Sequence, residues 1–313
     1  MDYKLYKLEF QNGVRFGKGN LENTELTFHA DTLFSALFME ALKLGMEKEF
    51  LGYVRKNELL FSDAFPYKGR QYYIPKPMIS YKPVNDEKKG NSVEKKRFKK
   101  MKYIPQEYLE NFLKGEYPEE ELKEEQKFGV HSMKVSVGIR GNEEPEPYRV
   151  NAFYFSEGNG LYLILAYQKL EAAELFEQLL YSLSYSGLGG KRSAGLGRFE
   201  YMEHEMLDEL KEKLQKKADK YMLLSAALPE DKEMKTILEN ASYNVLKRSG
   251  FVSSETYAEQ QRRKRDLYVF DAGSCFEKTF EGRLIEERLI EEKEGGRHSV
   301  FRYEKALFLG GDI

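Results

Sequence analysis

The segment "EAAELFEQLLYSLSYSGLGGKRSAGLGRFEYMEHE", residues 171–205, places a helix, a glycine-rich loop and a strand in direct succession. Leucines recur at helical spacing up to Leu183, which predicts an amphipathic helix that ends where the glycines begin. "GRFEYMEHE", residues 197–205, then continues as a strand. The loop therefore leads from a helix into a strand, and this order restricts both the fold and the ligands that the loop can accept.

The loop itself combines glycines with cations. Between Ser186 and Phe199 the chain carries five glycines together with Lys191, Arg192 and Arg198. Glycine permits positive φ and the close approach of another backbone, while lysine and arginine attract anions. The loop is therefore predicted to seat a phosphate-bearing ligand. The alternative is a helix C-cap and β-bulge whose cations simply face solvent.

The order of elements separates this loop from nucleotide-binding motifs. A Walker loop or a dinucleotide fingerprint runs from a strand into a helix, so that the helix N-terminus faces the phosphates. Here the helix comes first, and "GLGGKRS", residues 187–193, lacks the spacing GxxxxGK[ST]. The negative helix C-terminus would repel a phosphate unless Lys191 and Arg192 offset it. The pattern disfavours nucleotide hydrolysis and favours an extended anionic ligand.

Outward from the loop, the first 204 residues follow the order strand, helix, strand, strand, helix, strand. "YKLYKLEF", residues 3–10, alternates as a half-buried strand, and residues 27–45 predict an amphipathic helix that Gly45 ends. Residues 130–155 predict a long hairpin. The predicted fold class is α+β: the order is that of a ferredoxin-like, RRM-like βαββαβ domain, an antiparallel sheet with two helices on one face.

Two domains are expected from the length of the chain. The predicted ferredoxin-like domain spans residues 1–204, with basic and acidic insertions at about 82–147 and the glycine-rich loop at 187–197. A charged helix then leads into a smaller α+β domain over residues 205–313, a degenerate ferredoxin-like unit.

Composition limits the classes of function. Of the 313 residues, 41% are hydrophobic and 33% are charged, which is typical of a folded protein with a charged surface. Fifty Lys and Arg against fifty-two Asp and Glu give a net charge of −2, which excludes a globally basic nucleic-acid binder but permits a local basic surface. The lone Cys275 and four dispersed histidines predict no disulfide, metal site or cofactor. Since no signal-like or long apolar run is present, a cytoplasmic location without membrane contact is expected.

Five stretches resemble one protein family, in order along the chain. They are "HADTLFSALFMEAL" (29–42), "FSDAFPYKGRQYYIPKP" (61–77), "SGLGGKRSAGLGRFE" (186–200), "SYNVLKRSGFV" (242–252) and "VFDAGSCF" with "HSVFRYEKALFL" (269–276 and 298–309). A glycine-rich loop after the second helix of a ferredoxin-like fold is characteristic of RAMP proteins, the RNA-binding subunits of CRISPR effectors. The stretches resemble the RAMP members that hold the 5′ handle of the guide RNA (crRNA) in type III-A (Csm) complexes, and the likeness covers nearly the whole chain.

The resemblance implies a non-catalytic subunit of an antiviral ribonucleoprotein. Such a subunit grips the crRNA 5′ handle, contacts the large polymerase-like subunit, abuts the first backbone RAMP subunit and meets target RNA only indirectly. A protruding hairpin, the thumb, would press on the guide–target duplex. Both "KKGNSVEKKRFKKMK", residues 88–102, and "VGIRGNEEPEPYRV", residues 137–150, fit that part, and the sequence does not decide between them.

A single-stranded handle is recognised through backbone charge, close backbone approach and splayed bases. The residues expected to contact RNA are Gly187, Gly189, Gly190, Lys191, Arg192, Ser193, Gly195, Gly197, Arg248 and His29. Among them, Lys191 and Arg192 would pair with phosphates, and Ser193 would donate to an oxygen. Arg248 and the run "RRKR", residues 262–265, would form a second cationic group.

An endoribonuclease that processes precursor crRNA is the alternative function. Metal-independent cleavage needs a general base near the 2′-OH, and His29, two residues before Asp31 at a helix start, is the best candidate. The same position suits a helix cap, in which His29 or Asp31 bonds free backbone amides. His298 and the glutamates of the hairpin tip give little support to catalysis. A globular scaffold whose cationic loop is incidental is the third interpretation.

Overall fold

The computed structural model describes residues 1–17, 19–79, 92–118, 120–121, 127–138, 144–252, 262–287 and 299–311. Much of the basic insertion, part of the acidic one, the hairpin tip at 139–143 and His298 lie outside the described residues.

Helices and strands alternate irregularly along the chain. Up to residue 204 they are β1 (Asp2–Phe10), β2 (Phe16–Gly17), β3 (Thr24–Glu25), α1 (Ala30–Leu44), α2 (Glu47–Arg55), β4 (Leu59–Phe61), β5 (Phe65–Lys68), β6 (Gln71–Pro75), α3 (Ser92–Lys100), β7 (Tyr103–Pro105), α4 (Leu109–Leu113), β8 (Gly129–Gly138), β9 (Glu146–Phe155), β10 (Asn159–Tyr167), α5 (Leu170–Ser186) and β11 (Phe199–His204). The remainder are α6 (Asp208–Gln215), β12 (Lys220–Leu223), α7 (Met234–Ile237), β13 (Val245–Arg248), β14 (Leu267–Phe270), β15 (Cys275–Phe276), β16 (Gly282–Glu287), β17 (Val300–Lys305) and β18 (Phe308–Gly311).

The two long helices form where their apolar periodicity predicted them. Helix α1 buries Leu33, Phe34 and Leu37, and Gly45 ends it in the left-handed conformation with its N–H donated to the carbonyl of Ala41. Helix α5 buries the leucine stripe that ends at Leu183. Apolar spacing and a glycine stop were sufficient to locate both elements.

The main sheet is built around the first strand and β10. Its order is β11–β1–β10–β5–β6–β7, with β4 also pairing with β10, and its pairs are antiparallel. Leu8 lies opposite Leu161 on one neighbour and Tyr201 on the other. The structure is thus a mixed α/β fold with antiparallel sheets.

Both faces of this sheet are covered. Tyr6, Leu8 and Leu163 pack against the apolar stripes of α1 and α5, whereas Leu5 and Ile164 point into a second core. The second core includes residues of α4, α6, β12 and β18. Leu5 and Tyr6 are therefore both about 1% exposed, and the middle of β1 is not half-buried as its alternation predicted.

Residues beyond 204 contribute to both cores. Tyr303 of β17 stacks on Phe61, with ring centroids 4.4 Å apart, and its hydroxyl accepts the Phe61 N–H at 3.1 Å. The C-terminal part also forms a small sheet, β15–β12–β18, and the ribbons β13–β14 and β16–β17. The division of the chain at residue 204 stays a prediction. In the described part of the chain, no helix combines the length and apolarity needed to cross a bilayer.

Candidate nucleic-acid interface

The glycine-rich loop is braced against the connection between β1 and β2. Gly187 ends α5 and donates its N–H to the Leu183 carbonyl at 2.7 Å. Gly190 N–H donates to the Arg15 carbonyl at 2.8 Å, and Gly197 N–H donates to the Gly13 carbonyl at 3.0 Å. The two segments are therefore joined by backbone hydrogen bonds, and the loop has a defined shape.

Two glycines are required by this internal contact. Gly189 has φ of 93°, and a Cβ there would lie 2.6 Å from the Arg15 carbonyl oxygen. Gly197 has φ of 80°, and a Cβ there would overlap the carbonyl of Leu188. The close backbone approach that the sequence predicted occurs within the chain itself. A direct contact between these glycines and RNA stays a prediction.

The cations of the loop differ in exposure. Lys191 is half-buried, and its Nζ lies 3.2 Å from the Tyr148 hydroxyl and 4.9 Å from the centre of that ring. Arg192 and Ser193 belong to a short 3₁₀ turn, Arg192–Ala194, which Gly195 follows, and both side chains are exposed. Arg198 is exposed as well. Of the two cations expected to pair with phosphates, Arg192 is thus exposed, whereas Lys191 is partly covered and contacts Tyr148.

Sequence reasoning missed two members of this surface. Arg15 lies beside Gly190 and donates from its guanidinium to the Asn20 carbonyl at 2.7 Å, and burial lowers its pKa. Tyr148 comes from β9. The only signal for Arg15 was a cation between Gly13 and Gly17, and no pattern linked it to the loop. We use "loop surface" for Arg15, Tyr148, Lys191, Arg192 and Arg198.

The predicted hairpin is confirmed as the ribbon β8–β9, which pairs from Gly129↔Phe155 to Gly138↔Glu146. Its base is anchored by the backbone bridge between Val14 and Phe153. Met133 and Val135 are more than half exposed, although both are apolar. The ribbon therefore presents apolar side chains to its surroundings and borders the loop surface through Tyr148.

Arg248, the last residue of β13, contacts the first turn of α1. Its Nε and Nη2 donate to the two carboxylate oxygens of Asp31 at 2.8 and 2.7 Å, and Nη2 also donates to Thr32 Oγ1 at 3.0 Å. Burial alone would raise the pKa of Asp31, but the Arg248 guanidinium outweighs it and lowers that pKa to about 2. Arg248 is thus committed to a bidentate ion pair. In the neighbouring run of cations at residues 262–265, Arg263 also forms an ion pair, with Asp266.

His29 is paired with an aspartate that the sequence did not single out. Its Nδ1 lies 2.6 Å from Asp63 Oδ2. Asp63 Oδ1 accepts the N–H groups of Ala30 at 2.7 Å and Ala226 at 3.0 Å. Asp63 therefore caps α1, and the expected cap by His29 or Asp31 is wrong because neither side chain bonds the free amides.

The electrostatics of this pair favour a charged imidazole. Burial disfavours the cation, but the Asp63 carboxylate outweighs burial and raises the pKa of His29. Both residues line a cavity of about 440 Å³ together with Asp271. Burial also raises the pKa of Asp271. The prediction of no metal site was based on cysteine and histidine alone, and it overlooked these carboxylates.

Comparison with known proteins places the chain in a family. A family model described as "CRISPR Csm4 C-terminal domain" matches residues 216–311. The "CRISPR system Cms protein Csm4" of Mycobacterium tuberculosis (strain CDC 1551 / Oshkosh) is 37% identical over 311 residues, which cover 99% of this chain and 98% of the relative. The chain belongs to the Csm4 family. The Csm4 protein of Streptococcus thermophilus is also 37% identical, over 98% of both chains.

Solved structures show the same fold as this Csm4-family chain. A chain in the "Csm3-Csm4 subcomplex in the type III-A CRISPR-Cas interference complex" matches with a TM-score of 0.67 at 18% identity, covering 99% of this chain and 100% of that one. A chain in the "Csm1-Csm4 cassette in complex with cA4" matches with a TM-score of 0.63 at 20% identity, covering 100% and 99%. The relatives at 37% identity confirm the family resemblance that the sequence motifs indicated, and these structures agree with it in fold.

Proposed function

We propose that this Csm4-family chain is the non-catalytic subunit that caps the crRNA 5′ handle in a cytoplasmic type III-A CRISPR interference complex, for antiviral defence. The observation that carries the proposal is the loop surface, where exposed Arg192 and Arg198 project from a loop braced by its own backbone hydrogen bonds. A braced loop loses little conformational entropy when it binds. Guanidinium groups on such a frame suit the phosphates of an extended RNA strand.

The ribbon β8–β9 is the thumb in this proposal. It is preferred over the basic insertion because its described strands expose apolar side chains such as Met133 and Val135. Apolar side chains of this kind can insert between neighbouring bases and unstack them. The ribbon also joins the loop surface at Tyr148, so the handle and the first bases of the duplex would lie along a continuous surface.

The sheet order supports the finer fold assignment on which this proposal is based. In β11–β1–β10–β4, the last strand and the third strand flank the first, as in a ferredoxin-like sheet. Helices α1 and α5 pack on one face of it. The glycine-rich loop then lies between the second of these helices and the last strand of the sheet.

The partners follow from what the relatives assemble with. The similar chains were solved in a Csm1-Csm4 cassette and in a Csm3-Csm4 subcomplex. In this proposal the chain contacts a large polymerase-like subunit and the first backbone RAMP subunit, and it meets target RNA only through the thumb. The nuclease and cyclase activities of the complex then belong to those partners.

A specific observation favours one second function, cleavage of precursor crRNA. The His29–Asp63 pair opens on a cavity, and an aspartate that orients an imidazole is typical of general-base sites. Incubation of the purified chain with repeat RNA in EDTA separates the two functions. We expect intact RNA; cleavage that is lost in His29→Gln would establish the endoribonuclease instead.

Handle binding is tested by removing the two exposed arginines. Arg192→Ala with Arg198→Ala should weaken handle RNA binding about tenfold or more at about 0.15 M salt, and reduce the slope of log K against log salt by about 1.4. Filter binding across a salt series measures both quantities. The matched control is Lys211→Ala with Lys217→Ala, which removes two other exposed cations outside the loop surface. Equal affinities of the two double variants would refute the assignment of the loop surface.

A further inference from the structure

We propose that His29, Asp63 and Asp271 bind one divalent transition-metal cation of the Mn²⁺ or Zn²⁺ class. One donor atom from each of the three side chains can be chosen so that all three lie within 4.8 Å of one another. The site goes beyond handle binding and does not depend on it.

The fold assembles these donors from three distant segments. His29 precedes α1, Asp63 lies between β4 and β5, and Asp271 directly follows β14. One imidazole nitrogen with two carboxylate oxygens is a donor set that Mn²⁺ and Zn²⁺ accept, whereas Mg²⁺ and Ca²⁺ favour oxygen alone. The combination therefore selects a class of cation.

The spacing needs little rearrangement. His29 Nδ1 and Asp63 Oδ2 are 2.6 Å apart, and neighbouring ligands on a cation with bonds of about 2.1 Å lie about 3.0–3.4 Å apart. The two atoms must therefore separate by less than about 1 Å. The proton that bridges them leaves to solvent as the cation takes its place, so imidazole and carboxylate both bind in their deprotonated forms.

The surroundings hold the donors in place. Asp63 Oδ1 is fixed by the N–H groups of Ala30 and Ala226, which leaves Oδ2 directed at His29. The turn that carries Asp271 is fixed by Ser274 Oγ, which donates to the Asp271 main-chain carbonyl at 2.7 Å. Such outer contacts orient metal ligands before the ion arrives.

The cavity supplies an entry path, and Lys76 and Lys102, two of the four lysines that line it, are held by other acceptors. All three donors line the 440 Å³ cavity. Lys76 Nζ donates to the Phe98 carbonyl at 2.7 Å, and Lys102 Nζ pairs with Glu25 at 3.6 Å. Remaining coordination positions face the cavity, where water can complete the shell. A bound cation would tie the start of α1 to the turn after β14, and so join the N-terminal and C-terminal parts of the chain.

The test uses the full-length, RNA-free protein. After treatment with EDTA and equilibrium dialysis against MnCl₂ or ZnCl₂, elemental analysis should find one ion per chain, and the thermal unfolding midpoint should rise with the ion. Asp271→Asn keeps the size of the side chain and should weaken binding at least tenfold. Glu174→Gln removes an exposed carboxylate of α5 that lies outside the cavity, and it should bind as the wild type does.

Three results would overturn the proposal: wild-type protein that retains no ion, Asp271→Asn that binds as tightly as wild type, or Glu174→Gln that loses as much affinity as Asp271→Asn. The dialysis of wild-type protein is decisive even where a variant fails to fold. Because no RNA enters the experiment, its failure leaves the handle-binding proposal intact, and the reverse also holds.

Discussion

Gly195 and Gly197 have nearly the same φ, 82° and 80°, but different surroundings. A Cβ at Gly195 meets no atom within 4 Å, whereas one at Gly197 would overlap the Leu188 carbonyl. Gly195→Ala should therefore cost about 1 kcal/mol, the price of left-handed backbone for an L-residue. Gly197→Ala should cost at least about 2 kcal/mol more, because the β11 end of the loop must move.

Urea unfolding of the two alanine variants measures this difference, and their matched φ values make each the control for the other. Handle binding should follow the same order, since the loop surface depends on the brace at Gly197. Equal losses of stability in the two variants would show that the Leu188 carbonyl can move away from the added Cβ at little cost in free energy.

At the scale of residues, the sequence identified the glycines and cations of the loop but not their individual purposes. Gly189 and Gly197 serve the chain's own packing, and Lys191 is partly occupied by Tyr148. Nothing in a linear pattern relates Arg15 to residue 190, or Asp63 to His29. Such partners become visible only when the fold brings distant segments together.

At the scale of elements, the Asp31–Arg248 pair joins the start of α1 to β13. Both side chains are largely buried, with 15% and 20% of their surfaces exposed. Arg248→Met leaves the Asp31 carboxylate without its cation, and the free energy of unfolding near pH 7 should fall by about 3 kcal/mol. Lys247→Met, which breaks the neighbouring exposed pair with Asp266, should change stability little.

The pH dependence of this loss has a definite sign. Because the pKa of Asp31 is lowered from 3.8 to about 2, its ion pair contributes stability that is present above pH 3.8 and lost as pH falls through 2. The difference between wild type and Arg248→Met should therefore shrink as the pH is lowered from about 4 to about 2. Urea unfolding at a series of pH values measures it. A difference that stays constant over this range would assign the loss to packing and not to charge.

The long elements were predicted well because each carries its own signal. Apolar spacing and Gly45 defined α1, and the two strands of the hairpin were visible as a continuous alternation. Burial of β1 was not predicted correctly, because the cover on its second face comes from α6, β12 and β18, far away in sequence. Local patterns report an element's own preferences, and not which later segment packs on it.

At the scale of the whole molecule, the second core decides whether the first 204 residues can fold alone. Leu5, Tyr162 and Ile164 face that core, and Leu210, Leu214 and Leu309 cover them from beyond residue 204. A chain that ends at residue 204 exposes an apolar sheet face and also loses Tyr303 from the first core.

We expect this fragment to bind a hydrophobic dye and to unfold without a cooperative transition, whereas the full-length chain unfolds cooperatively. Urea unfolding followed by circular dichroism makes the comparison. A sharp transition in the fragment would instead favour the two independent domains predicted from the sequence, and the second core would then be an interface between them.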